Sequence, residues 1–505
     1  MIYFSSLFPA FMIPHRTLPV IFIILLLFAS RASNAYAQNQ STLDEYFKLG
    51  NEYVQAGRFE DAEKMYKKVI EYDRNYADAY VNLGNIYMLR NNFQAALDQF
   101  TKVIAIAPNN DSAFSNIGLI YMKIGSLSKA IDTFQKACEI NPKSQTAFYN
   151  LSTCYLLFNS PQNAEAAAKK ALEIKPDDQD TKILLGKIYS SAKRFDEAKK
   201  AFDEIIAQDP TNFDAINETG LIYLEKKEYE KAIASFEKIR SNKNLEKSSK
   251  AYYNIALCNE KLSRTAEARE AYTESIKRNP NYAAVRNDYG SLLFNLGKVE
   301  EAQFQFREAI IIDPLYSNAA VNLAKTYYIQ QRFNEAQEVL TFFLSKKPKD
   351  PLVYDQLGLV YYARKEFSKA KTAFDIAIEN DPTLASAHYN LGVLYDEGKK
   401  YDNAISEYKL ALLFDKNHIL AMNNLGYLFL NLRKFGESIE ILKKAIEINP
   451  KFTWAHYNLS LAYYNSGRRD EALTHMEKVI ELEEESSPLH ESAKRAISSI
   501  KGMKK

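Results

Sequence analysis

Residues 79–87 read AYVNLGNIY, and closely similar stretches begin at residues 113, 387 and 455. Their offsets are whole multiples of 34 residues once a two-residue insertion in the sixth copy is allowed for. Because a fixed period of this length is typical of stacked repeats, residues 43–486 are predicted to form one array of thirteen copies. The copies run over residues 43–76, 77–110, 111–144, 145–178, 179–212, 213–248, 249–282, 283–316, 317–350, 351–384, 385–418, 419–452 and 453–486.

Two positions of the repeat hold a small residue in every copy. Position 20 is alanine in twelve copies and Ser438 in the other. The eighth position is Gly50, Gly84, Gly118, Ser152, Gly186, Gly220, Ala256, Gly290, Ala324, Gly358, Gly392, Gly426 or Ser460. Small residues at two fixed points allow two helix backbones to approach closely, so each copy is predicted to be an antiparallel helix hairpin.

The apolar residues of each copy form two helical stripes. Positions 4, 7, 8 and 11 share one face of a first helix, and position 11 is tyrosine in ten copies, as in Tyr87. Positions 20, 24 and 27, for example Ala130, Phe134 and Ala137, share one face of a second helix. Position 32 is proline in nine copies, as in Pro108, and proline ends a helix because it lacks the backbone N–H.

This pattern resembles the tetratricopeptide repeat (TPR) family, which places an aromatic residue, Leu-Gly, Tyr, Ala, Phe, Ala and Pro at the same offsets. The resemblance covers residues 43–486 without a gap. It implies an all-α fold, a right-handed superhelical solenoid of 13 helix hairpins whose first helices line the concave side. Residues 487–505 are predicted to form a capping helix and a basic tail, since Leu489, Ala493, Ile497 and Ile500 fall on one helix side.

The sixth copy departs from the pattern. It carries two extra residues and lacks the terminal proline, and its last residues read SNKNLEK at 241–247. Two interpretations fit, a local boundary in the array or a slightly longer helix.

Positions 2, 5, 6, 9, 12 and 13 of the first helix face away from the core stripe, and the family resemblance places them in the concave groove. Position 6 is often asparagine: Asn82, Asn116, Asn150, Asn254, Asn322, Asn390, Asn424 and Asn458. A carboxamide donates and accepts hydrogen bonds, so a row of them can pair with the backbone of an extended peptide. The row resembles the asparagine ladder in the repeat superhelix of O-linked N-acetylglucosamine transferases. The alternative is that asparagine at this position serves packing.

Aromatic residues accompany this row at neighbouring groove positions. The tyrosines concerned are Tyr149, Tyr253, Tyr328, Tyr362, Tyr389 and Tyr457. Tyrosine is common at protein interaction surfaces because it combines a flat apolar ring with a polar tip. The alternative is that some of these rings seal neighbouring repeats. The groove lacks a paired Lys and Arg clamp for a C-terminal carboxylate, because Lys187 and Lys325 are isolated.

Charge and motifs narrow the classes of function. The 65 Lys and Arg residues nearly balance 63 Asp and Glu, and a net charge of +2 argues against nucleic acid or anionic lipid as a partner. The sequence contains no phosphate-binding glycine loop and no H-E-x-x-H motif, and no residues outside the repeats remain for a catalytic domain. His388 and His456 replace an aromatic residue at position 4. We therefore expect a non-enzymatic protein that uses no cofactor or metal.

The expected function is to bind extended peptide or protein segments in the groove. Two alternatives remain open at this level. The chain is a structural scaffold or assembly factor of a cell-envelope complex, or it recruits substrates for an enzyme encoded elsewhere.

The N-terminus has the features of an export signal. The apolar run over residues 17–30 is shorter than the about 18 residues that a membrane span needs. Ala35 and Ala37 form an A-x-A cleavage pattern, so residues 1–37 are predicted to be a signal peptide, with Met12 as a plausible true start, and residues 38–42 a linker. The expected location is the bacterial periplasm or the medium. The alternative is an uncleaved leader that anchors the chain in a membrane.

The three cysteines, Cys138, Cys154 and Cys258, lack metal-site spacing and are expected to be buried apolar residues. Cys138 and Cys154 fall in neighbouring copies, so a disulfide between them in an oxidising compartment is left open.

Overall fold

The computed structural model describes residues 40–502, and within that range it contains 27 α-helices and no strand. The helices alternate as first and second members of thirteen hairpins, followed by one further helix, which confirms the predicted all-α solenoid. The predicted signal peptide and the last three residues lie outside the described range. Residues 40–42, within the predicted linker, already belong to the first helix.

The chain divides into two compact units, one that ends at Ile239 and one that begins at Arg240. In the first unit the helices are α1 (40–55), α2 (Phe59–Tyr72), α3 (Ala77–Leu89), α4 (Phe93–Ile106), α5 (Asp111–Lys123), α6 (Leu127–Ile140), α7 (Gln145–Leu157), α8 (Pro161–Ile174), α9 (Gln179–Ser191), α10 (Phe195–Gln208), α11 (Phe213–Glu225) and α12 (Tyr229–Glu237).

The second unit holds seven hairpins and the last helix. Its helices are α13 (Leu245–Lys261), α14 (Thr265–Arg278), α15 (Ala283–Asn295), α16 (Val299–Ile312), α17 (Ser317–Ile329), α18 (Phe333–Lys346), α19 (Pro351–Ala363), α20 (Phe367–Asn380), α21 (Ala385–Glu397), α22 (Tyr401–Phe414), α23 (Ile419–Asn431), α24 (Phe435–Ile448), α25 (Thr453–Asn465), α26 (Arg469–Leu482) and α27 (Pro488–Gly502).

The close approach of the two helices of a hairpin depends on the small residue at position 8. A Cβ atom added to Gly84 would lie 2.8 Å from the ring of Phe100, which occupies position 24 of the same copy. Phe100 is fully buried, so its ring has no free space into which to move. Where position 8 is serine, the hydroxyl is used instead, as when Ser152 Oγ donates to the carbonyl oxygen of Ala164 at 2.8 Å.

Each hairpin turns through a residue at position 15 with a positive φ angle. Glycine fills this position in four copies, and another residue type fills it in the other nine, with φ between 56° and 61°. The next first helix begins after the proline at position 32, and its N-terminal amides are often capped by the residue before it. Asn110, for example, accepts a hydrogen bond from the amide of Ala113 at 2.8 Å.

The sixth copy shows where its two extra residues go. Helix α12 has only nine residues, whereas the next first helix, α13, has 17 because it begins four residues before the predicted start of its repeat. Asn244 caps α13 by accepting from the amides of Glu246 and Lys247. The insertion therefore lengthens the following first helix rather than the second helix of its own copy.

Helix α27 closes the apolar end of the second unit. Leu489 and Ala493 are buried against Met476 and Val479 of α26, and Ile500 is also buried. The predicted capping helix is thus present. No helix within residues 40–502 is both long enough and apolar enough to span a membrane.

Candidate protein-binding face

The first helices line the inner side of each unit. Consecutive first helices pack on one another from α5 to α11 in the first unit and from α15 to α25 in the second. A stack in which the first helices approach each other in this way curves toward them. We call the surface formed by positions 2, 5, 6, 9, 12 and 13 of the first helices the inner face.

Most asparagines of the row join their own first helix to the first helix of the preceding copy. Six of the eight predicted amides donate a hydrogen bond from Nδ2 to the neighbouring copy. The acceptors are Asn51 Oδ1 for Asn82 (3.1 Å), Asn85 Oδ1 for Asn116 (3.4 Å), Asn287 Oδ1 for Asn322 (2.9 Å), Asp355 Oδ1 for Asn390 (2.8 Å), Tyr389 Oη for Asn424 (3.2 Å) and Asn423 Oδ1 for Asn458 (3.0 Å). These bonds connect adjacent repeats.

The register of these bonds differs between the units. In the first unit the acceptor is at position 9 of the preceding copy, whereas in the second it is at position 5, and Asn322 donates in addition to Ser291 Oγ at position 9 (3.4 Å). Asn390 and Asn458 are only 9% and 5% exposed, so a ligand does not reach them in this conformation. The amides of Asn82, Asn116, Asn150, Asn254, Asn322 and Asn424 are half-buried.

A buried carboxylate anchors the row in the tenth and eleventh copies. Asp355 is 8% exposed and accepts hydrogen bonds from Ser386 Oγ at 2.7 Å and from Asn390 Nδ2 at 2.8 Å. Burial raises the pKa of this carboxyl group, while the two donors and the charge of Lys325 oppose that rise. The sequence predicts only that position 5 lies in the groove. A single sequence does not reveal that position 5 pairs with position 6 of the next copy.

The predicted tyrosines are all half-buried, with different partners. Tyr253 donates to Asp288 Oδ2 at 2.6 Å, and burial, followed by this carboxylate, raises the pKa of its phenol. Tyr328 packs edge-on against Phe333, and Tyr362 packs edge-on against Phe367. The other three are Tyr149, which packs on the core of the fourth and fifth copies, Tyr389, which accepts from Asn424, and Tyr457, which lies against Trp454. Most of these rings therefore also seal neighbouring helices.

Large apolar side chains remain exposed on the inner face. They are Leu89, Leu157, Ile329, Leu352, Leu420, Tyr427 and Trp454, at positions 2, 9 and 13. Leu89 is 66% exposed and Leu157 is 59% exposed. Because these seven side chains are exposed and are not part of the hairpin core, the fold alone does not require them to be apolar.

In three copies a polar side chain at position 4 bonds the carbonyl oxygen of the proline that precedes the hairpin, and its second polar group contacts the side chain at position 23. The sets are Arg286 with Pro280 and Gln305, His388 with Pro382 and Glu407, and His456 with Pro450 and His475. His388 and His456, which were predicted to replace an aromatic residue, thus take part in packing. The sequence did not predict their contacts with position 23.

The three cysteines are buried, and no disulfide joins Cys138 to Cys154 in the structure. Burial raises the pKa of Cys138 to about 11, with a smaller contribution from Glu139, so its thiol is protonated and unreactive at neutral pH. Within residues 40–502, no group of three or more His, Cys, Asp and Glu residues is arranged to hold a metal ion.

The hairpins and the inner face define a helical-repeat protein of the interaction class. Family models described as tetratricopeptide repeat or TPR repeat match residues 47–111, 112–144, 155–217, 201–234, 249–282, 271–304, 356–418, 434–467 and 454–486. The chain belongs to the tetratricopeptide repeat family. Proteins of this family are generally interaction modules.

Solved structures show a similar fold at low identity. Yeast Tom70 is 17% identical with a TM-score of 0.46, covering 85% of this chain and 96% of that one. Cut9–Hcn1, a hetero-tetramer of the APC/C, is 14% identical with a TM-score of 0.43, covering 90% and 96%. A tetratricopeptide repeat protein from Parabacteroides merdae is 17% identical with a TM-score of 0.43, covering 50% and 99%. No curated protein sequence matches the chain.

Proposed function

We propose that this protein is a non-enzymatic module that binds extended peptide or protein segments along the inner face. The observation that carries the proposal is the set of exposed apolar side chains on that face, since the fold does not use them. A bound segment would cover them and gain about 25 cal/mol for each Å² of apolar surface removed from water. A half-buried amide that uses one N–H to join two repeats, as Asn116 does, has a second N–H and its Oδ1 atom with which to bond a peptide backbone.

The test is to select extended peptides from a library with the purified chain and to measure their affinity for two variants. Leu157→Asp places a charge on the inner face, and we expect it to weaken the selected peptides by tenfold or more. Leu413→Asp places the same charge at a residue of similar exposure, 63%, on the second helix α22. Equal effects of the two variants would contradict binding at the inner face.

The amide row needs a separate variant. Asn150→Ala removes a half-buried amide near Leu157. If the amides read a peptide backbone, this change weakens all selected peptides by a similar factor, because the backbone is common to them. If affinity is unchanged while Leu157→Asp abolishes binding, the amides serve packing alone.

A scaffold role is the second candidate, and an observation on the outer side favours it. A groove of about 410 Å³ lies among α16, α17 and α18, lined by Ile310, Ile311, Phe342 and Phe343. Ile311 is 72% exposed and Phe342 is 61% exposed. Loss of a native partner in an Ile311→Asp variant, with peptide binding retained, would favour a scaffold over a peptide receptor. A substrate-recruiting subunit would use the same inner face as the peptide-binding module.

We also propose that the chain is exported and acts in the cell envelope or outside the cell. The support for this proposal is the apolar run over residues 17–30 and the A-x-A pattern that ends at Ala37. N-terminal sequencing of the chain recovered from its native cell tests it. Cleavage predicts Gln38 as the first residue, whereas an uncleaved leader in the membrane fraction would favour the anchored alternative.

A further inference from the structure

The last hairpin and the capping helix enclose a pocket of about 420 Å³. Its walls include Trp454 and Tyr457 of α25, Glu483 and Ser487 of the loop between α26 and α27, and Pro488 and Leu489 of α27. The pocket therefore combines two aromatic rings, one carboxylate and a short apolar floor. All of these residues belong to the second unit.

The two rings stand almost at right angles. Their centroids are 6.2 Å apart and their planes make an angle of 74°. Trp454 is 52% exposed, although tryptophan is the residue with the largest apolar surface to bury. Tyr457 is half-buried against the capping helix. Two perpendicular rings, one of them open to solvent, present their electron-rich faces to a cation better than to another apolar side chain.

The carboxylate beside the rings is held in place and ionised. Ser487 Oγ donates to Glu483 Oε2 at 2.7 Å. Hydrogen bonds from Thr453 and Ser487, in that order, lower the pKa of Glu483, so it is charged at neutral pH. Glu484 and Glu485 follow directly and are exposed, whereas Lys478, the lysine nearest in sequence, is bound to Glu481 at 2.7 Å. Among the residues that line the pocket in the described part of the chain, Glu483 is the only one with a formal charge.

We propose that this pocket binds an arginine side chain of a protein partner. The planar guanidinium would contact both Trp454 and Tyr457 while its N–H groups donate to the free lone pairs of Glu483. Arginine fits both walls at once, because it stacks on aromatic rings and pairs with a carboxylate in one plane, whereas lysine carries a compact charge with no flat face. The inference rests on the proposed function only in assuming that the arginine belongs to a bound protein or peptide.

The single tryptophan of the chain makes the pocket directly observable, because Trp454 is the only residue of its type. We would titrate the full chain with N-acetylarginine amide and follow tryptophan emission. N-acetylcitrulline amide has nearly the same shape without the charge. The expected result is a saturable change with the arginine compound and binding at least tenfold weaker with the citrulline compound. Equal responses to the two compounds would overturn the proposal.

Two matched variants locate the effect. Glu483→Gln should weaken arginine binding by about tenfold, or about 1.4 kcal/mol. Glu485→Gln removes the same charge from an exposed neighbour outside the pocket and should change binding by less than twofold. Equal losses in both variants would reduce the site to a general negative field and overturn the proposal.

Glu483 also supports the loop before α27, so its variant needs a check on folding. Thermal unfolding by circular dichroism shows whether Glu483→Gln remains folded. If it does not, Tyr457→Leu replaces it, since that variant keeps the carboxylate and removes one ring; arginine binding unchanged by this variant would likewise overturn the proposal. The small probe binds or fails independently of any extended peptide, so its outcome is distinct from failure of the proposed function.

Discussion

The eleventh hairpin, α21 with α22, and the thirteenth, α25 with α26, share one backbone pattern and satisfy the same buried group differently. Each has a histidine at position 4 whose Nε2 atom lies 3.0 Å from the carbonyl oxygen of the preceding proline. The other ring nitrogen of His388 lies 2.7 Å from Glu407 Oε2, whereas that of His456 lies 3.0 Å from His475 Nδ1. Both nitrogens of His388 thus face oxygen atoms, whereas Nδ1 of His456 faces a second imidazole, and His456 and His475 fit together only when one is a donor and the other an acceptor.

This difference shows that the repeat determines where a polar side chain is buried but not which partner it contacts. The same two hairpins also differ in the residues at positions 8 and 15 and in the acceptor of the asparagine at position 6, while their helices begin and end at equivalent residues. Matched substitutions in the two hairpins therefore separate the requirements of the shared backbone from those of individual side chains.

The largest effect is expected at position 8. A Cβ atom on Gly392 would lie 2.8 Å from the ring of Tyr408, which is 1% exposed and held on all sides. Gly392→Ala should therefore lower the free energy of unfolding by about 3 kcal/mol, as overpacking of a rigid core does. In the thirteenth hairpin, Ser460 already carries a Cβ atom, and Ser460→Ala loses only its 2.6 Å hydrogen bond to Ala472, worth about 1 kcal/mol. Urea unfolding measures both.

Gly436→Ala provides the control for helix propensity. A Cβ atom there has no neighbour within 4 Å, so alanine should stabilise the helix by about 0.5–1 kcal/mol. A loss at Gly392 no larger than that of Ser460→Ala would show that the ring of Tyr408 relaxes and that position 8 is not a steric requirement.

The second effect concerns the amides at position 6. Asn390 donates to a buried carboxylate, Asp355, whereas Asn458 donates to the neutral amide of Asn423. Asn390→Ala removes one donor from Asp355 and leaves the bond from the Ser386 hydroxyl, so it should cost about 2 kcal/mol, whereas Asn458→Ala should cost about 1 kcal/mol. Hydrogen exchange of the amides in each hairpin distinguishes the two losses.

Adding Asp355→Asn to Asn390→Ala supplies the control. In the Asp355→Asn background, Asn390→Ala should lower the free energy of unfolding by less than it does in the native chain, because no buried carboxylate loses a donor. Additive losses would show that the bond between Asn390 and Asp355 carries no special charge-assisted stabilisation.

Much of this architecture could be predicted from the sequence because it depends on local spacing. The small residues at positions 8 and 20 and the proline at position 32 follow from the geometry of one hairpin; every copy repeats the small residues, and nine copies repeat the proline. The capping helix was predictable for the same reason, since Leu489, Ala493 and Ile500 lie on one face.

The contacts between copies could not be predicted from the sequence. Asn390 reaches Asp355 and Asn458 reaches Asn423, in each case 35 residues earlier in the chain. These pairings depend on how far one hairpin is rotated against the next, which no period in the sequence encodes. The sequence therefore predicted the row of asparagines but not that six of them bridge neighbouring copies. The pocket at Trp454 was missed because its carboxylate comes from a loop outside the repeat pattern.

The third effect is a dependence on pH in the thirteenth hairpin. Burial, followed by the charges of His456 and Lys443, lowers the pKa of His475 to about 4, below the value near 6.5 of an unfolded chain. The neutral ring is therefore favoured by folding, and its stabilisation is complete above pH 6.5 and lost as the pH falls toward 4. At pH 5 the loss should be about 1.5 kcal/mol, with allowance for the partial exposure of the ring.

His475→Glu tests this by transferring the partner of His388 into the thirteenth hairpin. The new carboxylate would accept from a protonated His456, so the loss of stability between pH 7.5 and pH 5 should shrink or reverse. Trp454 lies in the same hairpin, so its emission during urea unfolding reports the change locally. An unaltered pH dependence in this variant would assign the acid sensitivity to other groups.

The smallest effect is expected at position 15, where both hairpins turn through a positive φ. Gly467 has a φ of 84° and Lys399 has a φ of 57°. Gly467→Ala should cost about 1 kcal/mol because a Cβ atom is strained in this region of backbone conformation. Lys399→Ala should be close to neutral, since that turn already holds a residue with a Cβ atom. Thermal unfolding of the two variants compares them, and equal losses would mean that the side chain of Lys399, rather than the backbone angle, determines the stability of the turn.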